Sequence, residues 1–281
     1  MPELPEVEVV RRGLEPLLTG HRIVAVTGSG LPLRQPVPMA RLRALGIGAR
    51  VTAVNRRAKF LLLGLDNGAL ILIHLGMTGK VYPAGPQTPT RKHDHLCFQL
   101  EGGDEVRLND CRRFGLVAIY PPEEAAAPPP LADLGPEPLD EAAFTAEYLL
   151  SRCRGRQTPI KNLLMENRVV VGIGNIYANE ILFAVGLNPW TPADAISPAQ
   201  AREIVDAGRE ILYKAIAAGG TTIADFANAA GESGYFQVQL AVYGRHGQPC
   251  LRCGTVIERR PQAGRPSFYC RRCQPACRQL P

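Results

Sequence analysis

The spacing of four cysteines near the C-terminus constrains the fold of this chain more than any other sequence feature. Two Cys-x2-Cys pairs, Cys250/Cys253 and Cys270/Cys273, are separated by sixteen residues. Such spacing is typical of two knuckles on a β-hairpin that give four thiolates to one tetrahedral Zn²⁺, with a disulfide pair or an iron–sulfur site as alternatives. The segment has few large apolar side chains, so a metal would supply much of its folding free energy. We predict one structural zinc in a ribbon over 244–281, held by Cys250, Cys253, Cys270 and Cys273.

The positive charge of the chain is concentrated in the same segment. Residues 245–281 contain eight arginines and one acidic residue, Glu258, and so carry +7, which leaves −1 for the rest of a chain with net charge +6. This distribution indicates a polyanionic partner, because the cysteines argue against an unstructured basic tail. No run of about 20 apolar residues is present to span a membrane, and acidic residues stand where a secretory signal would be apolar. We expect a cytoplasmic protein with metal-bound or free thiols.

The residues before the ribbon begin with a helix and continue with β structure. Apolar residues recur at helical spacing from Leu4 to Leu17 and predict a helix over 4–18. Asp66-Asn67-Gly68 and Gly102-Gly103 each separate two apolar runs, which indicates β-hairpins, and residues 116–120 add another strand. These patterns predict an antiparallel sandwich or barrel over residues 1–120.

The next part of the chain is predicted to be helical. Residues 121–138 are rich in proline and alanine and are typical of a linker. Ser197-Pro198-Ala199-Gln200 is a capping box followed by a buried apolar stripe, and further helices are expected over 141–152, 159–167 and 175–186. The sequence therefore predicts an α+β chain with a helical domain over 139–243.

The glycine-rich run from Val169 to Asn175 allows two interpretations. A dinucleotide-binding fingerprint fails, because Tyr177 stands where a third glycine is needed and no βα unit precedes it. In the other interpretation, Gly172 and Gly174 form a tight turn and Asn175 caps a helix whose free N–H groups hold a phosphate. A packed helical hairpin without a ligand fits the same residues.

The first eight residues, MPELPEVE, carry a second chemical signal. Removal of the initiator methionine would leave Pro2 with a secondary amine whose pKa is roughly 8 before any tuning. Such an amine is a nucleophile that yields an iminium directly on attack at a sugar C1′, with Glu3 and Glu6 beside it as acid, base or charge-stabilising groups. The same residues would also suit the first turn of an ordinary helix.

Six separated segments together resemble the bacterial formamidopyrimidine-DNA glycosylases. They are Met1–Glu8, Arg56–Leu61, His74–Met77, Asp110–Gly115, Val171–Glu180 and Cys250–Gln274. The resemblance implies an N-terminal helix and β-sandwich domain, then a helical domain with a helix–two-turn–helix and a zinc finger, with DNA in the cleft between them. It implies a monomeric bifunctional glycosylase and AP lyase that removes oxidised purines, such as 8-oxoguanine and formamidopyrimidines, from double-stranded DNA and nicks the strand.

The resemblance also assigns catalytic roles. Pro2 would attack C1′ of a flipped-out nucleotide, and Glu3 would protonate the opening sugar ring or the departing base. Glu6 would be a supporting carboxylate. Lys59 would contact phosphate and assist β-elimination, and Arg265, at the expected tip of the ribbon hairpin, would assist δ-elimination.

DNA-contact residues are implied in the same way. Met77, Arg112 and Phe114 would fill the space that the flipped nucleotide leaves, with Arg112 on the orphaned cytosine and Phe114 wedged between bases. A glycine-containing loop over 219–237 would close on the oxidised purine. The residues expected to hold phosphates are His74, His93, Arg112, Arg156, Lys161 and Asn175.

Three positions depart from the family pattern. Cys111 stands where proline is common, and Ala58 and Ala263 stand where glycine is common.

Two rival functions fit the same sequence. The nearest rival is the endonuclease VIII type, which shares the fold and chemistry but prefers oxidised pyrimidines. Leu4 and the long 219–237 loop favour the purine enzyme. The other rival is a non-catalytic zinc-ribbon DNA-binding protein.

Overall fold

The computed structural model describes residues 2–219 and 240–276. These residues form two compact units, one containing residues 2–132 with Gly219 and the other containing 133–218 together with 240–276. The predicted lesion loop lies outside the described residues from position 220 onward, as does Cys277. The predicted linker, 121–138, contains a short helix α3 (Pro122–Ala125) and a single 3-10 turn at Pro129–Leu131.

Helix α1 (Leu4–Leu18) opens the first unit and confirms the predicted N-terminal helix. Its start is set by Glu3, which lies in the extended region as N-cap, and by Pro5 in the first turn. The buried face repeats every three or four residues, as an amphipathic helix requires. Its apolar members are Leu4, Val7, Val10, Leu14 and Leu18.

Two four-stranded antiparallel sheets follow and confirm the predicted β-sandwich. The strands are β1 (Ile23–Gly28), β2 (Val51–Arg57), β3 (Phe60–Leu65), β4 (Leu70–His74), β5 (Lys80–Ala84), β6 (Asp94–Leu100), β7 (Glu105–Asn109) and β8 (Leu116–Tyr120). One sheet has the order β1-β6-β7-β5 and the other β2-β3-β4-β8, and both contribute to a single apolar core that α1 completes.

Both predicted hairpins are present, and besides α3 in the predicted linker, one further helix of the first unit was not anticipated. β3 pairs with β4 across Asp66-Asn67-Gly68, and β6 pairs with β7 across Gly102-Gly103. The unanticipated helix is α2 (Met39–Gly46), which lacks a side-chain cap and buries only Leu42 and Gly46. A short helix with so little amphipathic pattern gives no clear periodic signal in the sequence.

The second unit is helical and surrounds one buried helix. It contains α4 (Ala146–Cys153), α5 (Ile160–Leu164), α6 (Asn175–Ala184) and α7 (Pro198–Ala217), with a 3-10 turn at Ala193–Ala195. Helix α4 begins later than the expected residue 141 because Thr145 caps it, its Oγ1 accepting from Tyr148 N–H at 3.1 Å. All residues of α6 from Asn175 to Phe183 are buried. Among the described residues, no helix is both long and apolar enough to cross a membrane.

The second unit ends in the expected ribbon. Strands β9 (Glu258–Gln262) and β10 (Arg265–Tyr269) pair antiparallel across the two-residue turn Ala263-Gly264. Both turn residues have positive φ, +48° and +73°, as a type I′ turn in a two-residue hairpin requires. Ala263 adopts this conformation although glycine is better suited to it, so its departure from the family pattern leaves the hairpin intact.

Candidate active site and nucleic-acid interface

The N-terminal motif forms a buried carboxylate pair at the start of α1. The Glu3 backbone N–H donates to Glu6 Oε2 at 2.8 Å, and the Glu3 side chain reciprocates as the other half of a capping box. Glu3 is 1% exposed and Glu6 3% exposed, whereas Pro2 is partly exposed. The cap fixes the direction in which the chain enters the helix, so Pro2 is held beside two carboxylates.

Lys59 lies in the two-residue turn between β2 and β3, next to Ala58. Arg56 connects this turn to α1, since its Nε contacts Glu8 Oε2 at 3.2 Å and its Nη1 donates to Ala58 O at 2.8 Å. Burial tends to raise the pKa of Glu8, but hydrogen bonds from Arg11 and Arg12 outweigh it and keep that pKa below its ordinary value. The turn with Lys59 is therefore tied to the helix that follows Pro2.

The ionic contact between Glu8 and Arg56 was not anticipated as part of the site. Ala58 has a φ of +53°, a conformation that favours glycine, and its carbonyl is held by Arg56. The alanine at this position therefore preserves the turn on which Lys59 lies.

His74, at the end of β4, is a neutral hydrogen-bond donor. Its Nδ1 accepts from Gly76 N–H at 3.0 Å, which leaves the proton of the neutral ring on Nε2. Burial, with the positive charges of Arg34 and Lys59, lowers the pKa of His74 to about 4. A neutral N–H donor that experiences the positive charge of two cations is suited to a phosphate oxygen.

The three residues predicted to fill a void lie on neighbouring loops of the first unit. Met77 is 41% exposed and Phe114 42% exposed, and the Arg112 guanidinium stacks over the Phe114 ring at 4.7 Å. The backbones of the two loops are in close contact, since a Cβ added at Gly76 would lie 2.4 Å from Phe114 C. Large apolar side chains exposed on a rigid base require a partner surface to account for them.

His93 precedes β6 in a loop held by a buried arginine that sequence reasoning missed. Arg107 donates to the carbonyls of Thr88 and Pro89 at 2.7 and 2.9 Å. His93 itself has a φ of +75°, and its carbonyl accepts from Asp110 N–H at 3.0 Å. This constrained backbone fixes the position from which the His93 ring extends.

In the second unit, two predicted phosphate ligands lie behind the ribbon hairpin. Lys161 is fully buried and donates from Nζ to Pro266 O at 3.1 Å and Ser267 Oγ at 2.6 Å. Asn175 Nδ2 donates to the same Pro266 carbonyl at 3.0 Å. Arg265, which is exposed at the start of β10, directly precedes Pro266. Lys161 and Asn175 therefore stabilise the backbone beside Arg265. Phosphate contact by Lys161 and Asn175 stays a prediction.

Arg156, another predicted phosphate ligand of the second unit, forms an ion pair with Glu166. Its Nη1 contacts Glu166 Oε2 at 2.9 Å, and both side chains are about two-fifths exposed at 36% and 41%. An exposed ion pair of this kind contributes little to stability. Arg156 therefore stays available to a stronger anion, and its phosphate contact stays a prediction.

The four cysteines of the ribbon converge on one point. All four Sγ atoms lie within 4.8 Å of one another, with Cys250–Cys273 at 3.9 Å and Cys253–Cys270 at 3.4 Å. Thiolates about 2.3 Å from one tetrahedral ion are about 3.8 Å apart, so these atoms fit a single Zn²⁺. The cysteines are free, which excludes the disulfide alternative. The prediction of one structural zinc is confirmed.

Buried polar side chains that the sequence pattern did not identify attach the ribbon, and the residues just before it, to helix α6. Glu180 on α6 accepts three backbone N–H bonds, from Ala241, Val242 and Tyr243 at 2.7 to 3.0 Å. Asn179 Oδ1 accepts from Phe268 N–H at 2.8 Å. The sequence signal that could have identified these side chains is the occurrence of an acidic and an amide residue in an otherwise apolar helix, because such groups are buried only when they are hydrogen-bonded.

Zinc binding gives one testable outcome. Cys250→Ser should lower the zinc content from one equivalent toward zero and weaken binding to duplex DNA, because the ribbon has too little apolar core to fold without metal. Cys277→Ser is the matched control and should keep both properties. The measurement is metal analysis by mass spectrometry with fluorescence-detected DNA binding. Full zinc and normal binding in Cys250→Ser would contradict the assignment.

The lowered pKa of His74 predicts how the free energy of unfolding depends on pH. A depressed pKa means that the neutral ring contributes stability above pH 6.5 that is lost as the pH falls toward 4. His74→Gln should flatten the free energy of unfolding over this window, by at most about 3 kcal/mol. His246→Gln, which changes an exposed histidine, is the control. Identical pH slopes in chemical denaturation of wild type and His74→Gln would contradict the burial of a neutral ring.

Family models match three regions of the chain. They are the formamidopyrimidine-DNA glycosylase N-terminal domain over 1–117, the formamidopyrimidine-DNA glycosylase H2TH domain over 134–227, and the zinc finger found in FPG and IleRS over 247–276. A formamidopyrimidine-DNA glycosylase of Laribacter hongkongensis is 49% identical over 276 residues, covering 98% of this chain and all of the relative. The relative from Rhodospirillum rubrum is 46% identical over 282 residues, with the same coverage.

Solved structures of the Lactococcus lactis Fpg protein have the same fold. A mutant in complex with Fapy-dG-containing DNA aligns with a TM-score of 0.90 and 31% identity, over 98% of this chain and 100% of its own. A complex with abasic-site DNA aligns with a TM-score of 0.89 and 31% identity, over 97% of this chain and 99% of its own. Because the sequence identity extends over 98% of this chain and all of these relatives, and the family models match in the same order, the chain belongs to the formamidopyrimidine-DNA glycosylase family.

Proposed function

We propose that the chain is a bifunctional DNA glycosylase and AP lyase of base excision repair that removes oxidised purines from double-stranded DNA. The observation that carries the proposal is the buried Glu3–Glu6 cap, which holds Pro2 at the start of α1 in a chain that belongs to this family. Once the initiator methionine is removed, Pro2 provides a partly exposed secondary amine beside buried carboxylates, which is what a Schiff-base glycosylase requires.

The reaction begins when the Pro2 nitrogen attacks C1′ of a flipped nucleotide and the bond from C1′ to the base breaks. Glu3 donates a proton to the sugar ring oxygen or to the departing base, and Glu6 holds the amine-bearing backbone in place. The sugar ring then opens as the C1′–O4′ bond breaks, O4′ takes up a proton, and the Pro2 nitrogen, having lost its own proton, forms an iminium with C1′. This iminium acidifies the C2′ hydrogens, so loss of one of them expels the 3′ phosphate by β-elimination. Lys59 binds the phosphate at this step, and Arg265 assists the δ-elimination that follows.

Binding of the duplex uses both units. His74 donates its Nε2–H to a phosphate, and His93, Arg112, Arg156, Lys161 and Asn175 are proposed as further phosphate ligands. Met77, Arg112 and Phe114 replace the flipped nucleotide in the stack, and apolar wedges of this kind offset the cost of unstacking. The +7 charge of residues 245–281 adds attraction to the polyanion.

The remaining assignments follow from the same proposal. Zn²⁺ stabilises the ribbon that presents Arg265 and takes no part in the reaction. Residues 1–120 form the catalytic domain, 121–138 a linker, 139–243 the helical domain and 244–281 the zinc finger, with residues 219–237 as the lesion loop. The enzyme acts as a monomer in the cytoplasm, at the nucleoid.

Two other functions are distinguished by substrate. An endonuclease VIII-type enzyme would prefer oxidised pyrimidines, and a Lactococcus lactis relative has been solved with DNA that contains one. A non-catalytic zinc-ribbon protein would bind DNA without cutting it. Single-turnover cleavage of 8-oxoguanine·cytosine, thymine glycol·adenine and undamaged duplexes separates the three. We expect fastest cutting of the first and none of the last; faster cutting of thymine glycol would favour the pyrimidine enzyme.

Phe114→Ala should separate base flipping from the sugar chemistry. Unstacking a base costs a few kcal/mol, so loss of the wedge should slow cleavage at 8-oxoguanine roughly tenfold or more. A pre-formed abasic site has no base to expel and should be cut at close to the wild-type rate. Lys59→Met is the matched comparison and should slow cleavage of both duplexes. Equal losses for Phe114→Ala on the two substrates would assign Phe114 to general binding or folding.

A further inference from the structure

Two loops of the first unit carry the residues proposed to fill the void. The Met77 loop, residues 75–79, follows β4, and the Phe114 loop, residues 110–115, connects β7 to β8. Neither loop has regular secondary structure, and each presents a large side chain to solvent. Contacts between the two loops therefore fix their relative position.

The carboxylate of Asp110 connects the two loops. Asp110 is fully buried, and its Oδ1 accepts from Thr78 Oγ1 of the Met77 loop at 2.6 Å. The same Oδ1 accepts from Arg112 N–H at 3.3 Å, and Oδ2 accepts from Gly115 N–H at 2.8 Å. Hydrogen bonds to an ionised acceptor are the strong class, so this one side chain holds both loops.

Thr78 closes the network from the other side. Its Oγ1 donates to Asp110 and also lies 3.3 Å from Arg112 N, so the Arg112 N–H is shared between the threonine and the carboxylate. Arg112 is the residue that stacks on the Phe114 ring. A hydroxyl on the Met77 loop therefore contacts the backbone of the Phe114 loop directly.

The backbone of the Phe114 loop needs such support. Arg113 has a φ of +56°, a conformation that is unfavourable for a non-glycine residue and persists only where the surroundings impose it. Its neighbours on both sides, Arg112 and Phe114–Gly115, are held through the Asp110 bonds and through the close approach of Gly76. The Asp110 carbonyl is held in turn by His95 Nε2 at 3.1 Å.

We propose that Thr78 and Asp110 are positioning residues for void filling. They hold the Met77 loop and the Phe114 loop in one arrangement, so that Met77, Arg112 and Phe114 enter the duplex as a preorganised unit. Preorganisation matters because ordering loops on binding consumes interaction free energy. The proposal rests on the proposed glycosylase function, and it assigns these two residues no contact with DNA or with the reacting atoms.

Thr78→Val tests the contact with minimal change in volume. It removes the hydroxyl donor to Asp110, whereas Thr78→Ser keeps that donor and is the matched control. We expect Thr78→Val to slow single-turnover cleavage at 8-oxoguanine·cytosine roughly tenfold, with abasic-site cleavage within about twofold of wild type. Thr78→Ser should stay close to wild type on both. Equal slowing on both duplexes, or a Thr78→Ser variant as slow as Thr78→Val, would overturn the proposal.

A double variant and a measurement without DNA complete the test. If Thr78 acts through the wedge, Thr78→Val should add little to the loss that Phe114→Ala already causes; independent multiplication of the two losses would contradict the proposal. Hydrogen exchange of the Arg112 and Gly115 amides should be faster in Thr78→Val than in wild type and Thr78→Ser. Unchanged exchange would refute the loop contact even in an active enzyme, whereas an inactive wild type with faster exchange in Thr78→Val would refute only the proposed function.

Discussion

The point at which helix α1 begins is the constraint on which the site depends. Glu6 accepts the Glu3 N–H at 2.8 Å, and burial of both carboxylates makes this arrangement costly to change, because an unpaired buried carboxylate is highly unfavourable. The residue before the cap is Pro2, so the position of the proposed nucleophile is set by the helix and not by a flexible terminus. The Glu8–Arg56 contact then relates the same helix to the turn that carries Lys59.

The electrostatics of the described residues suit a partner that is negatively charged along its length. In the first unit, burial and the positive charges of Arg34 and Lys59 lower the pKa of His74 to about 4, so its ring provides an N–H donor without adding a third charge. In the second unit, the ribbon presents Arg265 on a hairpin fixed by Lys161 and Asn175. Both arrangements place cationic groups on rigid backbone, as recognition of a phosphate chain requires.

Features specified by local sequence were predictable, and features specified by distant contacts were not. Helix α1, the two glycine-turn hairpins and the cysteine knuckles all follow from short patterns, and the structure contains them. Asp110, Arg107 and Glu180 act by accepting or donating bonds to segments that the sequence pattern does not bring near them. Lys161 is an instructive case, since the sequence predicted a phosphate ligand and did not reveal that its side chain is buried against the ribbon.

Borohydride trapping determines whether the amine of Pro2 forms the covalent intermediate. Reduction during the reaction with 8-oxoguanine duplex should cross-link protein to DNA, and peptide mapping should place the adduct on residue 2, because only an iminium is reduced to a stable bond. A stable extension that acylates Pro2 should abolish the adduct while DNA binding persists. An adduct on Lys59, or full trapping by a protein whose N-terminal extension is still attached, would contradict the account.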